Sequence, residues 1–291
     1  MNAARAALAA AILLMGIWAN HNPDVIDGWV DDGIASQSDE PSVLVGLQTE
    51  EEWLVLRVQF PGKPFSQAKA DTMLGGDGSA TSYIDQMSGS GSSLKITEIA
   101  EIWAAPHAEG HWGADSIDER DIGVTALIEE AAQALLTGTD LSRWDFDGDG
   151  TIDRLLILHS GLAQESGGGA NAIWSHMSWL EKPLSIGDWS VSHYTIASLD
   201  SGVGTVVHEM LHQMGAHDLY DVHSDLPSSS WNGLGDWDIM ASGNWNSNGA
   251  VPSMPGAATL DLIGAKRSTI VDTDTGGNFV LAPISNGGIS L

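Results

Sequence analysis

His208, Glu209 and His212 stand in the pattern His-Glu-x-x-His, followed by Gly215 and Asp218. On a helix, residues four apart project from one face one turn apart, so both imidazoles can reach one tetrahedral ion. Glu209 lies about 100° round that helix from His208. There it can take a proton from a metal-activated water without being a ligand itself. A zinc site of this kind needs a third protein ligand and keeps its fourth position open. Gly215 can adopt positive φ, end the helix and turn the chain back towards the metal. In the HExxHxxGxxH arrangement the third ligand falls ten residues after the first His, a position held here by Asp218, whereas His217 is one residue out. No Glu follows Glu209 in this sequence, so a third ligand from a Glu on a later helix is not available in it.

A second constellation is Asp145-Phe-Asp-Gly-Asp-Gly-Thr-Ile-Asp153. Asp145, Asp147, Asp149, Thr151 and Asp153 occupy positions 1, 3, 5, 7 and 9 of a calcium loop, with Gly150 at the sharp turn of position 6. Position 12 is Leu156 rather than a bidentate Glu, so the loop resembles an EF-hand without being one. Carboxylates this close repel one another unless a cation compensates, which makes Ca2+ the expected ligand.

The His208 to Asp218 pattern, with Trp237-Asp238-Ile239-Met240-Ala241-Ser242-Gly243 after it, resembles the immune inhibitor A type of secreted metallopeptidase in the metzincin clan. The resemblance implies an α/β (α+β) catalytic domain: a mixed twisted sheet with a backing helix and an active-site helix, above a smaller irregular C-terminal subdomain. It implies Zn2+ on His208, His212 and Asp218, and a Met-turn in which Met240 packs beneath the ligands. A similar Asp-rich loop precedes the same strand in the family, and Trp174-Ser175-His176 recurs there. Tyr220 and Asp221 are expected to orient His212 or the third ligand by hydrogen bonds. The implied activity is zinc-dependent endopeptidase action on protein or peptide substrates. The alternative reading is a calcium-stabilised extracellular binding or adhesion protein with a relic zinc site, against which the intact Glu209 argues.

The elements that must position these groups are legible from periodicity. Ser42 to Leu47 and Trp53 to Phe60 are short, β-branched-rich runs and read as strands, as do Leu94 to Trp103, Leu155 to His159 and Trp189 to Leu199. Asp71 to Met87 reads as a helix with its flanks. Asp121 to Leu136 repeats apolar residues at helical spacing and predicts the backing helix, with Gly138 terminating it. Asp200 or Ser201 is placed to cap the metal-binding helix. Gly161 to Trp179 reads as a mobile loop beside the cleft, and Ser242 to Trp245 as part of the cleft wall. His107 and His111 flank Gly110 after Pro106, which favours a loop over a second metal site.

Met1 to Ala19 carries Arg5 and then an apolar run from Ala6, short for a membrane span and suited to a signal-peptide core, with a retained membrane anchor or a buried first helix as the alternatives. Residues 20–40 read as a linker or prosegment remnant, 41–218 as an upper catalytic subdomain, and 219–291 as a lower one bearing the Met-turn. An extracellular monomer is expected, with no stable membrane association after signal cleavage. The net charge of −28 repels nucleic acid, and the absence of cysteine excludes disulfides and latency through a zinc-bound thiolate.

Overall fold

The computed structural model describes residues 44–117, 119–222, 233–267, 282–286 and 288. The signal-peptide and linker expectations for residues 1–40 lie outside the described residues, as does the segment 268–281. Leu44–Leu291 groups as one compact unit.

A five-stranded mixed sheet organises this unit in the order β2-β1-β3-β5-β4. Its strands are β1 (Glu50–Gln59), β2 (Ser93–Ala104), β3 (Leu155–His159), β4 (His176–Ile186) and β5 (Trp189–Ser198). The first four positions pair in parallel, and β4 closes the edge antiparallel to β5. β1 and β3 are central and covered on both faces, which is why WLVLRV and LLIL read as nearly unbroken apolar runs. Alternate residues feed two cores. Trp53, Val55, Leu156 and Leu158 face α1 (Gln67–Leu74), α2 (Ala80–Ser88) and α4 (Val203–His212). Leu54, Leu56, Leu155 and Ile157 face α3 (Val124–Leu136) on the other side. The expected backing helix therefore covers the far face of the sheet and supports α4 through β1, β3 and β5. A short α5 (Ala257–Leu262) follows.

Several expected elements differ. Residues 44–48 are not a strand. Val45 and Gly46 instead turn their carbonyls to the Arg154 guanidinium, and Leu47 N–H donates to Ile263 O. The helix expected over Asp71 to Met87 is two, α1 and α2, broken at Gly75 to Gly78, with Ser79 capping α2. The last four residues of the expected loop, His176 to Trp179, are the start of β4. Its hairpin to β5 turns on Gly187-Asp188, with Gly187 at φ +62° as a tight two-residue turn requires. Pro183 has no N–H to give a ladder, which suits an edge strand and coincides with the register break between Trp179 and Leu184. Neither Asp200 nor Ser201 caps α4. Gly202 holds that position, and Gly204 N–H finds the carbonyl of Gly249 instead.

Arg154 is fully buried and joins four parts of the chain. Its Nε pairs with Glu51 Oε1, and its other nitrogens donate to carbonyls of Val45, Gly46, Asp153 and Gln213. Gln213 follows α4 directly, so this ion pair ties β1 and β3 to the end of that helix. Glu51→Leu leaves the guanidinium buried without its counter-charge and is expected to cost about 3–5 kcal/mol. Equilibrium urea unfolding measures this; a loss below about 1 kcal/mol would contradict it.

Candidate metal centre

α4 forms because VGTVVHEMLH presents a continuous buried face, and all of its residues from Gly204 to Leu211 are buried. Gly204 lies against the backbone of Asn244, where a Cβ has no room. The helix ends as expected. Gly215 takes φ +98°, its N–H donates to His212 O, and Ala216 N–H reaches back to Leu211 O. The turn then aims the Ala216 carbonyl at His212 Nδ1, 2.8 Å away. His208 Nδ1 is held in the same way by Ile239 O at 2.7 Å. Both imidazoles are thus fixed through Nδ1 and present Nε2 inward.

The two Nε2 atoms are 3.2 Å apart, and Asp218 Oδ1 lies 3.2 Å from the first and 3.4 Å from the second. Donors bound tetrahedrally to zinc at about 2.0–2.1 Å are roughly 3.3–3.4 Å apart, so the triangle has the edges of a zinc site. Asp218 Oδ1 is buried and has no hydrogen-bond partner, an orphaned acceptor at the spot where a cation fits. His217 is exposed and points the register argument the same way.

The electrostatics favour a cation here. Burial depresses the His208 imidazole, but the Glu209 charge, the contact to Asp218 and the Ile239 carbonyl outweigh it and push it up to about 9. Burial raises Asp218, yet the two histidines beside it hold it well below the usual carboxylate range. Glu209 is raised, first by burial, against the pull of His208 and His212. Its Oε2 accepts the Met177 N–H at 2.8 Å, and its Oε1 stands 3.8 Å from His208 Nε2. A buried carboxylate beside the ligands with a raised pKa is suited to proton transfer.

Met240 is fully buried in a turn made by Asp238, whose carbonyl accepts Ala241 N–H and whose Oδ1 accepts Met240 N–H. The other carboxylate oxygen accepts Gly256 N–H. The same turn supplies the Ile239 carbonyl to His208, and Met240 O accepts Leu219 N–H, just after Asp218. The family resemblance singled out Met240 and gave Asp238, two residues before it in the same run, no role. The buried carboxylate, 1 % exposed, is what gives the turn its shape. Tyr220 stands beside Asp218, and Asp221 is partly exposed.

A cavity of about 220 Å³ opens beside His208 and Glu209. Trp174, Ser175, Tyr220 and Trp245 form part of its wall, and Ser242 from the expected wall segment lies on it too. Glu165, which no local motif marks, reaches the same cavity from the loop after β3 and accepts Ser175 N–H. His176 is satisfied by Trp174 O and the Tyr194 hydroxyl. His107 and His111 pack ring to ring at 4.2 Å and join no ligand cluster among the described residues.

The structure brings Asp145, Asp147 and Asp149 within ligand distance of one another. Their oxygens accept N–H groups of Gly148, Gly150, Asp149 and Thr151, which curls the loop round its own carboxylates. Thr151 Oγ1 lies 3.5 Å from Ser190 Oγ. Asp153 is not in the cluster: it is buried and accepts Phe146 N–H at 2.6 Å.

Behind the cavity wall, Asp121 accepts Trp174 N–H at 3.1 Å and sits at φ +50°. Burial pushes its carboxyl up to about 7, opposed by the Trp174 N–H and reinforced by Asp115. A raised carboxyl pKa means the folded state keeps its proton while the unfolded chain loses it, so stability falls as pH rises from about 4 to about 7 and stays lower above. Asn accepts the same N–H and tolerates positive φ. Asp121→Asn is therefore expected to gain roughly 1–3 kcal/mol over the wild type at pH 8 and little at pH 4. Thermal melts at the two pH values check this, and an equal gain at both would contradict it.

Residues 57–279 match the family described as immune inhibitor A peptidase M6, catalytic domain. The chain is 32 % identical over 195 residues to immune inhibitor A of Bacillus thuringiensis subsp. alesti, covering 54 % of this chain and 27 % of that protein. It is 29 % identical over 192 residues to pre-pro-metalloprotease PrtV of Vibrio cholerae serotype O1, covering 54 % of this chain and 20 % of that one. The match thus spans about a quarter or less of the length of these relatives. Metalloproteinase-II from Bacteroides fragilis aligns with a TM-score of 0.35 at 12 % identity, covering 77 % of this chain and 54 % of that one. The chain belongs to the immune inhibitor A, or M6, family of metallopeptidases.

Proposed function

We propose that the chain is a secreted zinc-dependent endopeptidase. The observation that carries this reading is the triangle of His208 Nε2, His212 Nε2 and Asp218 Oδ1, with the Glu209 carboxylate beside it. Zinc, when bound, polarises a peptide carbonyl and makes a water more acidic. Glu209 would take the proton of the attacking water and pass it to the amine that leaves as the peptide C–N bond breaks; its burial, and the Met177 N–H on Oε2, keep one oxygen fixed while the other faces His208. Tyr220, beside Asp218, is placed to orient the third ligand. The substrate lies between an upper part of the chain, ending at Asp218, and a lower part that begins with residue 219 and carries the Met-turn. The intact proton-transfer group at the site argues against a binding protein with a relic metal.

Secretion rests on the Met1 to Ala19 pattern, and no helix among the described residues is long and apolar enough to cross a membrane. The enzyme acts as a monomer on protein or peptide substrates. Hydrolysis of casein, blocked by 1,10-phenanthroline and restored by added zinc, tests the activity. Casein left intact by the zinc-loaded chain would overturn it.

Ca2+ is proposed for the loop of Asp145, Asp147 and Asp149, with Thr151 and Asp153 completing its frame. Three carboxylates in mutual contact lose their repulsion when a cation binds. Millimolar calcium is expected to raise Tm by several degrees, since binding only the folded chain at 100 times Kd contributes about 2.7 kcal/mol. Asp147→Asn should remove most of that rise. A Tm that ignores calcium would contradict the assignment.

A further inference from the structure

In a chain with 39 acidic and 11 basic residues, an arginine without a carboxylate partner stands out. Arg57, Arg143 and Arg154 each pair with a glutamate, and the guanidinium of Arg267 donates to backbone carbonyls. Arg120 does neither. It is exposed, and among the described residues no carboxylate lies within ion-pair distance of it. Its guanidinium rests instead over the face of Trp174, 4.4 Å from the ring centroid. The carboxylates of this region are engaged elsewhere: Asp121 accepts the Trp174 N–H, and Glu165 Oε2 accepts the Ser175 N–H.

Trp174 is a wall shared by two hollows. It lines the cavity beside His208 and Glu209, and it lines an adjoining groove of about 340 Å³ together with Arg120, Thr125, Ser178 and Tyr194. The Arg120 charge also reaches the Tyr220 phenol beside Asp218, where it opposes the upward push of burial. An unpaired cation therefore stands next to the catalytic cavity. Stacking on the indole leaves the edge of the guanidinium free, with N–H donors in a planar fork that meets a carboxylate through two parallel bonds. The ring holds that fork in one orientation, so less freedom is lost when an anion arrives.

We infer that Arg120, held on Trp174, is a specificity-determining residue that takes the side-chain carboxylate of a substrate glutamate or aspartate close to the cleaved bond. The inference rests on the peptidase reading of the metal centre. An extended peptide advances about 3.3 Å per residue, so a chain running from the metal along Trp174 presents a side chain to Arg120 within about three residues.

The test uses the full-length, zinc-loaded chain and peptides amidated at the C-terminus. Glutamate is compared with glutamine, which keeps the shape and loses the charge, at one position at a time over the three residues on each side of the cleaved bond. The expected result is kcat/KM about fivefold higher for glutamate at one of these positions, the upper end of what an exposed ion pair contributes. The gain should appear mainly in KM, because the pair forms on binding and is kept in the transition state. In Arg120→Gln the glutamate-to-glutamine ratio should fall to about one, whereas loss of a residue that only packs on Trp174 would change both peptides alike. Wild-type ratios near one at every position overturn the inference whether or not the variant folds. So does a ratio that survives Arg120→Gln. A preference seen only when the peptide ends in a free carboxylate also overturns it, since Arg120 would then read a chain end. Cleavage of none of the peptides, nor of casein, would instead count against the peptidase reading on which the inference stands.

Discussion

Glu209→Gln is expected to lower kcat by about 10²–10⁴-fold while zinc binding and folding survive. The amide keeps the size of the carboxylate and can still accept the Met177 N–H, so the edge strand stays where it is. It cannot take a proton. Because Glu209 is not one of the three converging donors, its loss leaves the metal triangle of His208, His212 and Asp218 intact. KM should change little, since the lost interaction belongs to the proton-transfer step rather than to substrate binding. Retention of more than about a tenth of the wild-type kcat would show that another group moves the proton.

Asp218→Ala is expected to weaken zinc binding by more than the 10–100-fold typical of removing a group that merely orients a ligand. Two neutral imidazoles then remain, and the anionic donor that lies against both of them is gone. Competition with a chelator of known affinity measures the loss. His217→Ala is the matched control: its side chain is exposed, and its removal should leave zinc affinity within a few-fold. The reverse outcome, a large effect at His217 and a small one at Asp218, would move the third ligand by one residue.

The centre was legible in the sequence because its logic is local. Helical spacing brings His208 and His212 to one face, Gly215 ends the helix, and Asp218 follows within one turn of chain. The central strands were legible for a similar reason: burial on both faces writes β1 and β3 as apolar runs. What escaped depends on partners far away in sequence. Residues 44–47 have strand-like composition, but the carbonyls of Val45 and Gly46 are taken by Arg154, more than a hundred positions later. The start of α4 lacks a side-chain cap because the Gly249 carbonyl does that work across the fold. β4 was obscured by the Gly-rich run before it and by Pro183 within it, although the Gly187-Asp188 turn between alternating segments was a readable hairpin signal. Glu165 carries no motif at all and comes to the cavity only because the loop after β3 folds back over Ser175.

Asp238 shows the same limit at shorter range. Its neighbour Met240 carries the recognisable pattern, yet the buried Asp238 carboxylate joins the turn to Gly256 and so sets the carbonyl that holds His208. A pattern of residue types reports which groups do chemistry more readily than which groups hold them.

The central claim is that His208, His212 and Asp218 form a catalytic zinc centre served by Glu209. Elemental analysis of the purified chain, run beside peptide hydrolysis for the wild type and Glu209→Gln, tests it most directly. The account predicts about one zinc per chain in both proteins and turnover in the wild type alone. A chain that hydrolyses peptides without zinc, or a Glu209→Gln chain as active as the wild type, would contradict it.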